Sequence, residues 1–254
     1  MQVSLLITTF NRSDALDLVL KTVASQSRVP SEVVICDDGS SFETRVLVRK
    51  WEERLPIRHA WQPDREFRAA RSRNLGISKS EAEYVVLIDG DCLLPPKFVE
   101  NHVKLAKQGH LVAGGRHLLS ELETHALLSE TSSIANAFGH WKFHRLALGL
   151  SRDLRPDAWG TVRTCNLGLY RCDIESAGGF DESYVGWGRE DSDFVVRLMH
   201  GGLKVRSGRF TACVAHLHHL EHPRDQFSEN DARFRACQSD PTRIHSKSSI
   251  LTES

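Results

Sequence analysis

Short apolar runs and amphipathic stretches alternate along the first half of this chain. Val3-Ser4-Leu5-Leu6-Ile7-Thr8-Thr9 is too brief for a helix and reads as a strand. Asn11, Arg12 and Ser13 break it, and from Asp14 to Gln26 the residues Ala15, Leu16, Val19, Leu20 and Val23 recur at helical spacing. Val33-Val34-Ile35-Cys36 repeats the strand pattern and closes on Asp37-Asp38-Gly39-Ser40; Phe42 to Arg54, with Val46, Leu47 and Trp51, repeats the helix. A third strand is expected from Ile57 to Trp61, a helix from Ala69 to Ser80, and a fourth strand at Tyr84-Val85-Val86-Leu87-Ile88. Strands alternating with helices at this spacing imply right-handed crossovers and an α/β domain whose central sheet is mostly parallel and flanked by helices. Ligands of such sheets bind beyond the carboxyl ends of the strands.

Past Pro95 and Pro96 a helix is expected from Lys97 to Lys107 and a strand from Leu111 to Gly115. From His117 to Pro156 the pattern is irregularly helical and basic, suited either to a lid or acceptor-shaping segment or to a solvated connecting helix. Residues 238–254 lack apolar periodicity and are expected to form a flexible tail. With no repeat and no low-complexity linker, the expected organisation is one domain with two functional halves, 1–115 and 116–237.

The polar residues at the strand ends carry the candidate chemistry. Thr8 to Arg12, Asp37 to Ser40 and Asp89 to Asp91 all fall on one rim of the expected sheet. In extended chain, residues two apart point the same way, so Asp89 and Asp91 can face one divalent cation. A phosphate-cradling glycine loop would have to follow the first strand, and none does. A metal, rather than glycine backbone, should then neutralise a diphosphate. Further on, Glu190, Asp191 and Asp193 put three carboxylates into four positions after Gly186-Trp187-Gly188-Arg189. Trp187 offers a flat face for a sugar ring, and crowding should raise one carboxyl pKa as a general base requires. The alternative is an acidic helix start complementing the dipole ahead of Phe194, Val195, Leu198 and Met199, and both can hold.

Composition narrows the partners. Among 254 residues, 33 basic side chains balance 33 acidic ones, leaving no net field to attract nucleic acid or anionic lipid. No apolar run approaches the roughly 18 residues of a membrane span, and Met1 leads directly into the first strand without a signal segment. Cys36, Cys92, Cys165, Cys172, Cys213 and Cys237 show neither metal spacing nor a short disulfide framework, so reduced thiols and a cytoplasmic location are expected, compatible with peripheral contact at the inner membrane surface.

Asn166-Leu167-Gly168-Leu169-Tyr170-Arg171, Gly178-Gly179-Phe180-Asp181-Glu182 and the block from Val185 to Asp193 resemble the acceptor half of inverting glycosyltransferases. With Thr8-Thr9-Phe10-Asn11-Arg12, Asp37-Asp38-Gly39-Ser40, Arg73-Asn74 and Asp89-Gly90-Asp91 ahead of them, residues 2 to about 220 resemble bacterial family 2 glycosyltransferases of the Rossmann-like GT-A fold. The carboxyl half is similar to the galactosyltransferase type of chondroitin polymerases and beta-1,4-galactosyltransferases. The resemblance implies metal-dependent, inverting transfer of a sugar from a nucleotide diphosphate donor, a UDP-sugar for preference, to a hydroxyl of a glycan or glycolipid. It implies Asp38 with Thr8 at the nucleotide base, Asp37 or Arg73 holding the nucleotide, Asp91 as direct metal ligand and Asp89 as a ribose or water-mediated partner. It further implies Asp191 as base, Glu190 orienting the acceptor hydroxyl, and Trp187 with Gly188 receiving the acceptor. Arg68 and Arg71 accompany Arg73 at this helix, where arginines are ordinarily solvated, and Arg73 alone matches the family's Arg-Asn pair. A histidine after the last strand completes the metal shell in that family; in the cluster of His216, His218, His219 and His222, His216 fits best and His219 second, the alternatives being surface histidines or a structural zinc site with Cys213. The cation would be Mn²⁺ or Mg²⁺, although the neighbouring methionine ligand of the galactosyltransferases is missing. Two other classes remain open: a sugar-phosphate nucleotidyltransferase, which would want a glycine-rich basic loop after the first strand, and a non-catalytic glycan-binding protein on the same fold.

Overall fold

The computed structural model describes residues 1–139, 153, 158–220 and 224–252. Its first half is strand β1 (Val3–Thr9), helix α1 (Ser13–Ala24), β2 (Glu32–Asp37), α2 (Phe42–Glu52), β3 (Ile57–Trp61), α3 (Ala69–Lys79), β4 (Tyr84–Asp89), the two-residue β5 (Cys92–Leu93) and α4 (Phe98–Leu105). Then follow β6 (His110–Leu118), α5 (Glu121–Leu128), β7 (Asn166–Tyr170), α6 (Arg171–Ser176), α7 (Glu190–His200), β8 (Lys204–His216) and α8 (Phe227–Gln238). Among the described residues, eight strands form one sheet in the order β3-β2-β1-β4-β7-β6-β8-β5.

The central strands are apolar on both faces because helices cover both. Leu5, Ile7, Val33, Ile35, Val86 and Ile88 pack with Leu16, Val19 and Leu20 of α1 and Phe98 of α4. Their alternates Leu6, Val34, Cys36, Val85 and Leu87 pack with Ala70 and Ile77 of α3 and with Phe194, Val195 and Leu198 of α7. This is the period of two along a strand, with each face buried against a different layer.

Parallel pairing holds β1 to β2 and β4, β2 to β3, and β6 to β8. The sheet is mixed because β7 enters antiparallel between β4 and β6, and β5 pairs antiparallel with the end of β8. Along β6 and β8 the register jumps, Gly114 facing Gly208 and Gly115 facing Cys213, so residues 209–212 bulge out.

Residues 239–252, within the stretch expected to form a flexible tail, lie bonded against the body. Glu182 N donates to Ser248 O at 2.8 Å and Ser246 N to Ala177 O at 3.0 Å. Ser249 Oγ meets Asn74 Nδ2 at 3.1 Å, and Leu251 packs on the core shared by α3 and α7. Sequence periodicity misses such a segment because single side chains and backbone groups, not an amphipathic stripe, hold it. Of the region read as a lid, an acceptor-shaping segment or a solvated connecting helix, α5 is described, with Ser120 and Glu123 forming a capping box; residues 140–152 and 154–157 lie outside the described residues. No helix among the described residues is long and apolar enough to cross a membrane.

Candidate active site

The three polar clusters converge at the carboxyl edge of β1, β2 and β4. Parallel register puts Thr8 opposite Asp89 and Thr9 opposite Asp37. Asp38 N donates to Thr9 O at 3.0 Å and Gly90 N to Thr8 O at 2.7 Å, fixing how both turns leave the sheet. Asp37 is 1% exposed and turned inward: its Oδ1 accepts from Ser40 N at 2.7 Å and its Oδ2 meets His59 Nε2 at 2.8 Å. Burial raises its pKa, but the hydrogen bonds from His59 and Ser40 outweigh burial and hold it below the usual range. Asp38 accepts from Arg68 N at 2.7 Å and from Gln62 Nε2, yet burial still pushes its carboxyl up. Arg71 is not merely solvated, since its Nη1 donates to Gln62 Oε1 at 2.8 Å and so orients the partner of Asp38. The Thr8 hydroxyl is buried with no hydrogen-bond partner among the described residues, an orphan that a ligand group at this edge would satisfy.

Strand pairing builds the candidate metal site. Cys92 in β5 faces His216 at the end of β8, and Leu217 N donates to Asp91 O at 2.9 Å, so Asp91 lies beside the turn carrying His216 and His219. His216 Nε2 is 3.4 Å from Asp91 Oδ1 and His219 Nε2 is 3.6 Å from Asp91 Oδ2. The three side chains each offer a ligand atom, all within 4.8 Å of one another. On their far sides, His216 Nδ1 meets Leu217 O at 2.9 Å and His219 Nδ1 meets Leu220 O at 2.8 Å. A carbonyl only accepts, so Nδ1 carries the hydrogen, and in the neutral rings the Nε2 lone pairs are turned toward Asp91. Two lone pairs and a carboxylate aimed at one point fit a divalent cation. The structure thus brings together both histidines that the sequence left as alternatives; His218 instead donates its backbone N–H to Thr124, and His222 lies outside the described residues.

Across the cleft stands the start of α7. Arg189 takes a left-handed φ of 74° as the residue before the helix, aiming Glu190 and Asp191 at the sheet edge. Arg73, 5% exposed on α3, bridges the two halves: its Nη1 is 3.1 Å from Glu190 Oε1 and its Nη2 is 3.5 Å from Asp89 Oδ1. Burial pushes the Glu190 carboxyl up, Asp191 adds to this, and Arg73 opposes both. Burial likewise raises Asp89, against the pull of Arg73. For Arg73 itself burial disfavours the charge, but Glu190 and Asp89 reverse the balance and raise its pKa. The third carboxylate has a different job. Asp193 is fully buried, 2.7 Å from Arg197 Nε, and Arg197 donates on to Ala177 O and Gly179 O at 2.7 and 2.8 Å. Asp193 therefore locks α7 onto the 177–179 turn and does not face the cleft.

Trp187 lies half-buried beside the acidic block, its ring 5.8 Å from that of Phe227, with the Arg224 guanidinium 4.7 Å above it. Gly186 and Gly188 flank it at φ 76° and 107°, and a side chain at Gly186 would strike Gln226 at 2.7 Å. Trp187 and Gly186 line a small cavity of about 210 Å³ with Phe67, Val185 and Gln226. Sequence reasoning did not single out Gln62, His59 or Ser249, and no local pattern marks them; Asn74 and Glu182 stood in the quoted Arg73-Asn74 and Gly178–Glu182 blocks, but nothing there joined them to each other or to Ser249.

The model of the glycosyl transferase family 2 matches residues 4–171, and that of the N-terminal domain of galactosyltransferase matches residues 146–223. Validoxylamine A glucosyltransferase of Streptomyces hygroscopicus subsp. limoneus is 33% identical over 227 residues, covering 81% of this chain and 49% of the relative. The hyaluronan synthase of Pasteurella multocida is 27% identical over 222 residues, covering 78% of this chain and 23% of the relative. The chain thus spans about half the length, or less, of these curated relatives. In fold it is similar to S. aureus TarS 1-349 in complex with UDP-GlcNAc, with a TM-score of 0.71 at 14% identity over 96% of this chain and 70% of the other. It is also similar to the mannosyltransferase PcManGT from Pyrobaculum calidifontis in complex with GDP-Man and Mn²⁺, with a TM-score of 0.62 at 19% identity over 93% of this chain and 62% of the other. The chain belongs to glycosyl transferase family 2 and has the GT-A fold.

Proposed function

We propose that this family 2 chain is a metal-dependent inverting glycosyltransferase, moving a sugar from a UDP-sugar to a hydroxyl of a glycan or glycolipid acceptor. The observation that carries this reading is the meeting of Asp91, His216 and His219 with the Asp89–Arg73–Glu190 bridge at one sheet edge. A cation held by those three ligands would offset the charge gathering on a leaving diphosphate. Imidazole donors favour Mn²⁺ over Mg²⁺, which prefers an all-oxygen shell.

The chain's own residues supply the rest. Thr8, whose hydroxyl has no partner among the described residues, and Asp38 take the nucleoside, while the inward Asp37 holds the shape of the 37–40 turn. Arg73 holds Asp89 and Glu190 in place by charge, and Glu190 orients the acceptor hydroxyl. Asp191 takes the hydroxyl proton as the acceptor oxygen bonds to the anomeric carbon and the bond to the diphosphate breaks. Trp187 and the backbone at Gly188 receive the acceptor ring. A uridine nucleotide is in keeping with the UDP-GlcNAc held by TarS, whereas GDP-Man in PcManGT makes guanosine the comparison to run.

Calorimetry of UDP and GDP with Mn²⁺, with Mg²⁺ and with chelator tests the donor side. Tight UDP binding only with the cation, lost in Asp91→Ala, is expected; equal affinity in chelator removes the metal from the reading. Proton NMR of the first product from an alpha-linked donor should show a beta linkage.

A further inference from the structure

Beyond the Trp187 cavity, the 181–187 segment and α8 continue as one seam. Asn230 Nδ2 donates to Val185 O at 2.9 Å and Arg233 Nη1 to Ser183 O at 2.9 Å, stitching helix to loop. Further along the seam opens a larger cavity, about 370 Å³, lined by Asp181, Ser183, Tyr184, Arg233, Arg243 and Lys247, among others. It lies roughly 10 Å along α8 from Gln226, at 1.5 Å per helical residue.

The charges in this cavity are one-sided. Its only carboxylate among the described lining residues, Asp181, is 1% exposed and already engaged, accepting from Ser183 N at 3.0 Å and Lys247 N at 3.2 Å. The Tyr184 hydroxyl is engaged elsewhere, donating to Asp193 at 3.2 Å. Of the three cations, Arg233 is paired with the exposed Glu229. Arg243 attracts the exposed Asp240 without a direct ion pair among the described residues, and the Lys247 ammonium is in no ion pair there. Three cations from two separate elements around one concave space, with a single inward-bonded acid, form a receptor for an anion. The volume suits one sugar-sized unit.

We propose that this cavity is a second acceptor subsite, which holds a carboxylate- or phosphate-bearing unit of the acceptor through Arg233, Arg243 and Lys247 while the Trp187 end holds the ring that reacts. The proposal rests on the transferase reading above and assigns its acceptor class: an anionic glycan. It also gives a reason for the tethering of residues 239–252, since Lys247 and Arg243 reach the cavity only because that segment is held to Asp181 and Ala177.

Proton–nitrogen NMR titration of the full chain with methyl glucuronide, methyl glucoside 6-phosphate and neutral methyl glucoside tests it. Arg243 and Lys247 are half-buried and exposed, so the double variant Arg243→Gln/Lys247→Gln should fold, and UDP binding with Mn²⁺ by calorimetry reports the donor site separately. At least one charged sugar should bind at resonances of 181–184 and 232–247, weakened by about tenfold in the double variant, with UDP binding unchanged. The responding sugar identifies the anion as carboxylate or phosphate. Equal response to all three sugars, no response to either charged one, or charged-sugar affinity unaltered in the double variant overturns the subsite. Failure of UDP to bind the unaltered chain would instead count against the transferase reading.

Discussion

Asp191 and Asp193 sit two positions apart on the same helix turn and are given opposite fates by their surroundings. Asp191 is half-buried at the cleft, whereas Asp193 is sealed against Arg197 with neither side chain exposed. Asp191→Asn should cut turnover by about 10²–10⁴-fold, as loss of a general base does, with UDP affinity and urea midpoint preserved. Asp193→Ala strands a buried guanidinium and should cost about 3–5 kcal/mol in urea unfolding. If Asp193→Ala left the midpoint unmoved, the pair would not be the lock of α7 described above. The histidines make a second pair of this kind. Because His216 and His219 both aim Nε2 at Asp91, His219→Ala should weaken Mn²⁺-dependent UDP binding about as strongly as His216→Ala. A His219→Ala variant indistinguishable from the unaltered chain in calorimetry would leave His216 as the lone histidine ligand.

At the scale of elements, α4 is joined to β7 by a group that must stay uncharged. His102 is fully buried, its Nε2 2.9 Å from Asn166 Oδ1, and Asn166 also donates to Gly115 O and Ala212 O at 2.8 and 2.9 Å. Burial lowers the His102 pKa to about 4, with the Asn166 hydrogen bond opposing. In the unfolded chain it titrates near 6.5, so between about pH 6.5 and 4 the unfolded state binds the extra proton. Stability therefore falls as the pH drops through this window, by roughly 3 kcal/mol from this group at its acid end. His102→Gln, which keeps a donor for Asn166 but no titration, should flatten that limb of the stability profile. An unchanged slope would assign the acid sensitivity to other groups. The helix carrying His102 is visible as a periodic stretch in sequence, but its partner strand β7 is not, because Asn166–Tyr170 is only 5 residues long and carries Gly168 between its two leucines.

For the whole molecule, the segment closing on α3 and α7 decides how much of the chain is one cooperative unit. Truncation at Ser239 removes the Ser249 contact to Asn74, the Glu182–Ser248 bond and the packing of Leu251, and should lower urea stability by at least about 2 kcal/mol. An unmoved midpoint would restore the flexible tail that the sequence suggested. The alternation of strand and helix through residue 115, and with it the rim on which Thr8, Asp38 and Asp89 lie, is legible along the chain because burial within one element imprints a local period; the acidic block after Trp187 is legible because its residues are contiguous. Which distant groups meet there follows from the packing of the layers. Arg73 reaches Glu190 across 117 positions of chain, and the β5–β8 pairing, not any spacing, sets His216 and His219 against Asp91. Such contacts leave no period in the sequence, since each follows from strand order and register, and these are fixed by how the layers bury one another.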